Sequence, residues 1–349
     1  MNIAIDVTPL QSEHAKRGVG IYTKFLIEYL ELSGSKHKFL PIKKGESIPR
    51  EADVVHYPYF DPFFLTLPLA KPKPTVVTVH DLIPIVFPDK FPRGVRGALK
   101  WQIQKISLQG AKRIIADSKA SKKDVTRLTG FPSHAIDAIY LGPTFELTKA
   151  SSVLSLTDFL RKHHIGKTFI LYVGDVNWNK NVPGVIRAFK TLVETTPGLT
   201  LVLCGGAFLN NDLTESVQIR ELIRSLAIEP HVVMPGHVSG EMLCALFESA
   251  RCLLFPAYYE GFGLSVIDAM AHHCPVVTSG VSSLAEIAGP SVIVNPDDCG
   301  SITQGVRKIL GMSENERRDI VSDGIKWAKR YSWEKTARET ISVYEKACT

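Results

Sequence analysis

Short apolar runs recur along this chain and alternate with longer stretches whose apolar positions fall three and four residues apart. The run Asn2-Ile3-Ala4-Ile5-Asp6-Val7 predicts a strand over 2–7, and the amphipathic pattern after it predicts a helix over 19–32. Further strands are predicted near 53–56, 75–79 and 113–116. The alternation restarts at Thr168-Phe169-Ile170-Leu171-Tyr172-Val173-Gly174, with a helix near 181–195 and strands near 199–204, 231–234, 251–255 and 275–278. Strands separated by helices imply a mostly parallel sheet with helices on its faces, and two such series predict two α/β domains.

Between the series, Leu141-Gly142-Pro143 leads into a Ser/Thr-rich stretch that ends in Arg161-Lys162-His163-His164-Ile165-Gly166. A boundary near 165 follows, giving a first domain over 1–165 and a second over 166–330. Ser332-Trp333-Glu334-Lys335 opens a last helical pattern, with Ser332 as its cap, over 331–349. There is no repeat of solenoid period and no low-complexity tract.

At 349 residues and 45% hydrophobic composition, the chain can bury two cores. Its 41 Lys and Arg against 35 Asp and Glu leave +6, without a long basic tract, which argues against a nucleic-acid binder. The six cysteines are dispersed and none form CxxC, so neither a disulfide framework nor a zinc site is expected, and a reducing cytosol fits. The first strand begins without the flank of an export signal, and no segment reaches 18 uninterrupted apolar residues. A cytoplasmic protein is expected.

The strongest chemical signal is Glu260-Gly261-Phe262-Gly263-Leu264-Ser265-Val266-Ile267-Asp268, two carboxylates flanking a glycine turn between a strand and a helix. Free backbone N–H groups near Gly263 and Leu264 suit a phosphate, while Glu260 stays in the loop and Asp268 sits on the helix, within reach of ribose hydroxyls. A solvated loop acid and an ordinary helix acid are the plain alternative. Lys180, in Gly174-Asp175-Val176-Asn177-Trp178-Asn179-Lys180-Asn181, precedes a helix and is placed either to neutralise a diphosphate or to stay solvated.

His80 and Asp81 end an apolar strand, at the carboxyl edge where open α/β sheets bind ligands. His80 is either a sugar contact or a structural histidine bonded to a carbonyl, and Asp81 either orients it or, by preference, caps the next turn. Arg17-Gly18-Val19-Gly20 puts a glycine turn after the first strand, a ligand contact or a purely geometric turn, and does not match the dinucleotide fingerprint GxGxxG. A basic segment from Arg93 to Arg113, with Leu99, Ile103, Ile106 and Leu108, suits either an anionic membrane surface or a helix packed on its own domain. Asp297 and Asp298 sit in a turn and suggest no metal geometry, so no metal is expected.

Taken together, RGVGIYT at 17–23, VVTVHDLIP at 76–84, ADSKASKKDV at 116–125, YVGDVNWNKN at 172–181, PAYYEGFGLSVIDAM at 256–270, SGVSSLAEIAG at 279–289 and YSWEKTA at 331–337 resemble the retaining, nucleotide-sugar-dependent glycosyltransferases of family 4. The resemblance implies the α/β GT-B fold, two Rossmann-like domains facing each other across a cleft, with a C-terminal helix returning to the first. It implies a donor diphosphate contacted by Gly18, Gly20, Lys180 and the helix after Gly263 and Leu264. Glu260 would face the transferred sugar, and Asp268 takes the place where a glutamate usually binds ribose. Asp175 stands where the family commonly has arginine, and Ser265 where it has proline.

By the same resemblance the anomeric carbon leaves the nucleotide diphosphate and bonds to an acceptor on the same face, with Lys180 stabilising the leaving group. His80 and Glu260 would position the sugar and stabilise positive charge at its ring. The leaving phosphate oxygen would take the acceptor proton, so Glu260 and Asp268 need not act as a hydrolase pair. The NKN segment and WEKTA tail are similar to bacterial mannosyl- and rhamnosyltransferases of O-antigen assembly. GDP-mannose is the expected donor, with UDP-sugars, GDP-rhamnose or noncatalytic sugar-nucleotide binding as alternatives. A lipid-linked saccharide is the expected acceptor, with peripheral contact at the inner membrane's cytoplasmic face. An epimerase is disfavoured by the absence of GxGxxG with a Tyr-xxx-Lys pair.

Overall fold

The computed structural model describes residues 1–11, 15, 17–34, 36–144 and 153–349, which form two compact units, one of Met1–Thr144 with Tyr331–Thr349 and one of Phe145–Arg330. In the first unit, β1 (Asn2–Asp6), β2 (Lys38–Ile42), β3 (Val54–Tyr57), β4 (Thr75–Val79), β5 (Arg113–Ala116) and β6 (Ile136–Ala138) make a parallel sheet in the order β2-β1-β3-β4-β5-β6. Its helices include α1 (Gly18–Leu32), α2 (Ile83–Val86), α3 (Gly94–Gln109) and α4 (Lys119–Thr129). The central strands β3 and β4 are buried at every position, as helices on both faces require.

The second unit repeats the plan with β7 (Thr168–Val173), β8 (Leu199–Cys204), β9 (Val232–Gly236), β10 (Cys252–Phe255), β11 (Val276–Ser279) and β12 (Val292–Val294), in the parallel order β12-β11-β10-β7-β8-β9. Its helices are α5 (Val153–Lys162), α6 (Val182–Val193), α7 (Thr214–Ser225), α8 (Gly240–Ser249), α9 (Leu264–Ala271), α10 (Leu284–Ile287), α11 (Cys299–Leu310) and α12 (Glu314–Ala328). Helix α6 buries Val182, Val185, Ile186, Phe189 and Leu192, the three-and-four spacing that makes one apolar face. Polar caps set several helix starts. The Ser313 hydroxyl accepts from the Glu316 N–H while the Glu316 carboxylate accepts from the Ser313 N–H, and Asp298 caps α11 through the Gly300 N–H.

The last helix, α13 (Trp333–Cys348), belongs to the first unit. Ser332 caps it through the Lys335 N–H. Trp333 Nε1 donates to the Pro143 carbonyl at 2.9 Å, the Thr336 hydroxyl donates to the Tyr140 carbonyl at 2.7 Å, and Lys346 Nζ reaches Asp137 at 2.9 Å. Gly142 is glycine for a steric reason, since a Cβ there would stand 2.5 Å from the Trp333 backbone nitrogen.

The division between the units falls at Thr144, earlier than the 165 expected from sequence, because α5 packs against α8 of the second unit. Most of the Ser/Thr-rich stretch, 145–152, lies outside the described residues. Among the described residues no helix is long and apolar enough to cross a membrane.

Candidate active site

In the second sheet β7 is flanked by β10 and β8, so the chain runs outward from β7 in one direction and later returns to its other side. The carboxyl ends of β7 and β10 therefore form the topological switch point, where open α/β sheets leave room for a ligand. The turn after β7 carries Lys180 and the segment after β10 carries Glu260.

These two segments are tied together by side-chain amides. After β7 a 3-10 turn spans Trp178–Lys180, and Asn181 takes the left-handed conformation, φ 53°, before α6. Asn179 Nδ2 donates to the Tyr259 carbonyl at 2.9 Å, and the Tyr258 N–H donates to the Asn179 carbonyl at 2.7 Å. Asn181 Nδ2 donates to the carbonyls of Pro256 and Pro296 at 3.0 and 2.8 Å, while its Oδ1 accepts from the Gly184 N–H. Trp178 stacks on Tyr258 with ring centroids 5.0 Å apart. The outcome is that Lys180 Nζ stands 2.6 Å from Glu260 Oε1 and 5.3 Å from the Phe255 ring centroid. With the two side chains 20% and 7% exposed, the pair is largely shielded from water, which strengthens its attraction.

The loop after β11 holds Glu260 from the other side. The Ser282 hydroxyl accepts from the Glu260 N–H at 2.9 Å, and the Ser283 hydroxyl lies 2.9 Å from the carbonyls of both Glu260 and Phe262. Gly263 then adopts φ 102°, where a side chain is strained, and a Cβ there would meet Leu284 Cδ2 at 2.8 Å. From that turn α9 starts at Leu264; the Val266 N–H donates to the Gly263 carbonyl at 3.0 Å, and the N–H groups of Leu264 and Ser265 precede the helix's own hydrogen-bond ladder. Asp268 is buried on α9, one turn further along. The Asp175 carboxylate accepts from the Val176 N–H at 2.8 Å, and the Asp175 carbonyl accepts from the Tyr172 hydroxyl at 2.7 Å.

In the first unit His80 follows β4 at the carboxyl edge of its sheet. Its Nδ1 is 2.7 Å from Asp117 Oδ2 at the end of β5, and its Nε2 is 3.0 Å from the Pro58 carbonyl at the end of β3. The ring edge of Tyr22, on α1, packs against it at 4.8 Å and 81°. Burial disfavours the charged ring, but the Asp117 carboxylate, with Asp81 and the Pro58 carbonyl, outweighs burial and raises the His80 pKa above its ordinary value. Asp81 accepts from the Ile83 N–H at 3.0 Å, the capping role preferred for it. Behind this cluster, His56 lies between the Tyr344 and Thr78 hydroxyls at 2.8 Å each, and burial lowers its pKa to about 3, so it stays neutral.

Gly18 and Gly20 do not form the expected turn. Both lie in the first turn of α1, and neither has positive φ. No sequence signal assigns a supporting role to Asn179, Ser282, Ser283 or Asp117. Asn181 carried a readable sign, an asparagine just before Val182-Pro183 at a helix start.

The family model described as "Glycosyltransferase Family 4" matches residues 16–143, and "Glycosyl transferases group 1" matches residues 158–327. The chain belongs to these glycosyltransferases. It is 28% identical over 297 residues to the O-antigen chain mannosyltransferase B of Escherichia coli, covering 84% of this chain and 75% of that protein. It is 26% identical over 271 residues to the O-antigen chain mannosyltransferase RfbU of Salmonella typhimurium, covering 77% and 68%. The sucrose-phosphate synthase of Thermosynechococcus elongatus superposes with a TM-score of 0.76 at 19% identity over 99% of this chain and 98% of that one. The glycosyltransferase thus has the GT-B fold, built on two parallel six-stranded sheets.

Proposed function

We propose that this glycosyltransferase moves mannose from GDP-mannose to a lipid-linked saccharide with retention at the anomeric carbon and without a metal ion. The observation that carries the reading is the Lys180–Glu260 pair at the switch point of the second sheet. A shielded ammonium held by a fixed turn is suited to take the charge of a departing diphosphate, which costs little reorganisation during the reaction. The mannosyltransferase relatives support the choice of sugar.

In this reading the bond from C1 of the sugar to the diphosphate breaks with its electron pair on the phosphate oxygen. Lys180 and the first N–H groups of α9 hold that oxygen's charge. The same oxygen takes the acceptor's hydroxyl proton as the acceptor oxygen bonds to C1 on the face the diphosphate leaves. Glu260 faces the ring, where positive charge develops, and Asp268 accepts from the ribose hydroxyls.

The acceptor side is supported by the surface of the first unit. On α3 the side chains of Val95, Leu99 and Ile106 fall on one exposed face, opposite the buried Trp101 and Leu108. Beside it the exposed Phe64 carries Lys100 Nζ 5.2 Å from its ring centroid. From Lys90 to Ala116 the chain has seven Lys and Arg and no acid. An apolar stripe rimmed by cations suits peripheral contact with an anionic bilayer, where a lipid-linked acceptor would be found.

The test is release of nucleoside diphosphate from a panel of GDP- and UDP-sugars, with a lipid-linked saccharide extract as acceptor, EDTA present, and Glu260→Ala as control. Turnover confined to GDP-mannose, unaffected by EDTA and lost in the control, is expected. Turnover of another sugar nucleotide would reassign the donor, and tight nucleotide binding without turnover would point to a noncatalytic binder.

A further inference from the structure

The ring of His80 faces acceptors at both nitrogens. The Pro58 carbonyl, 3.0 Å from Nε2, can only accept, so Nε2 carries a hydrogen. On the other side, Nδ1 and a carboxylate oxygen of Asp117 are 2.7 Å apart. Two lone pairs at that separation would repel, so a proton lies between them, and imidazole is the stronger base of the two. We propose that Asp117 is a positioning residue that keeps His80 a doubly protonated imidazolium, so that His80 acts as a cationic hydrogen-bond donor and not as a base.

This inference rests on the sugar-positioning role that the family resemblance implies for His80, and it changes one part of that role. An imidazolium cannot stabilise positive charge at the sugar ring, so that task falls to Glu260, while His80 stabilises negative or partly negative oxygen. The charged and titratable neighbours agree. Asp117 lies at the end of β5 and Asp81 is adjacent in the chain, and both favour the cation. Tyr22 from α1 is buried, and its pKa is raised, so it remains a neutral wall. His56 from β3 is neutral. The Ser121 hydroxyl donates to the His80 carbonyl at 2.8 Å and fixes the backbone that carries the ring. The Nε2 hydrogen is held by the Pro58 carbonyl, a neutral acceptor weaker than an anionic oxygen, so an anionic oxygen near Nε2 would compete with it.

The experiment is a proton NMR titration of ligand-free protein, with the His80 signal identified by its loss in His80→Gln, repeated for Asp117→Asn and followed by the pH dependence of kcat. A midpoint above about 6.5, the ordinary histidine value, is expected in the wild type, falling in Asp117→Asn. The alkaline limb of kcat should move down in pH by the same interval, with kcat at neutral pH lower by about tenfold or more. A wild-type midpoint at or below the ordinary value overturns the proposal, as does an alkaline limb unmoved in a folded Asp117→Asn. If Asp117→Asn does not fold, the wild-type midpoint decides. Because the titration needs no sugar nucleotide, a failure to turn over any donor would count against the proposed function and leave the His80 result standing.

Discussion

Lys180 and Glu260 follow different strands of one sheet, yet their side chains meet at 2.6 Å because Asn179 and Asn181 clip the first turn onto the backbone that leads to the second. Glu260 neutralises the ammonium inside the protein, so in the proposed reaction a diphosphate would exchange one anionic partner of Lys180 for another. Such an exchange avoids the penalty of leaving a shielded charge unpaired.

Lys180→Met should lower kcat roughly 100-fold or more, by analogy with the loss of one preorganised group at a developing negative charge. Urea denaturation of Lys180→Met, Glu260→Gln and the double variant should give a coupling energy of about 1–2 kcal/mol. Additive single effects would mean that the contact contributes nothing to the ligand-free protein.

Asn181→Ala removes two donations to carbonyls and the cap of α6, and leaves a left-handed residue without its side-chain support. A stability loss of about 2–3 kcal/mol is expected from buried hydrogen bonds and a lost cap. Donor turnover should fall as well, since Lys180 loses its anchor, and unchanged kcat in the folded variant would show that Asn179 alone places the lysine.

Gly263→Ala places a Cβ against Leu284 and Ile287 at a backbone angle that side chains rarely adopt. A loss of about 2 kcal/mol or more is expected. Nucleotide affinity, measured by calorimetry, should weaken because the start of α9 must shift. Wild-type affinity would separate α9 from the diphosphate.

Asp137 gives a pH-dependent prediction. Burial raises its pKa, but Arg113 at 2.6 Å and Lys346 at 2.9 Å outweigh burial and hold it below the ordinary carboxylate value. A lowered folded-state pKa contributes stability above the unfolded value that is lost as pH falls through the folded value. Asp137→Asn should therefore destabilise the protein at neutral pH, and the difference from wild type should shrink below about pH 4 in urea titrations. A constant difference would assign the effect to packing.

The central strands were legible because parallel strands buried on both faces read as continuous apolar runs, as at 75–79 and 199–204. Three edge strands were not. β2, β6 and β12 have half-exposed residues, and β2 contains Pro41, which an edge tolerates and a central strand does not. The basic segment was legible as a helix, but not its orientation. Leu99 and Ile106 face solvent while Leu108 is buried, and only packing against the sheet decides between those faces.

The sequence by itself determined two α/β domains, the glycine turn at Gly263, the strand-end position of His80 and the loop positions of Lys180 and Glu260 between a strand and a helix, since local periodicity and glycine chemistry depend on neighbours along the chain. The tertiary structure alone decided what each of these side chains touches. Glu260 meets Lys180 because β10 lies next to β7, and His80 meets Asp117, 37 residues away, because β4 lies next to β5. Strand order is a nonlocal outcome of burying both faces of each sheet, and it sets the charges of the site.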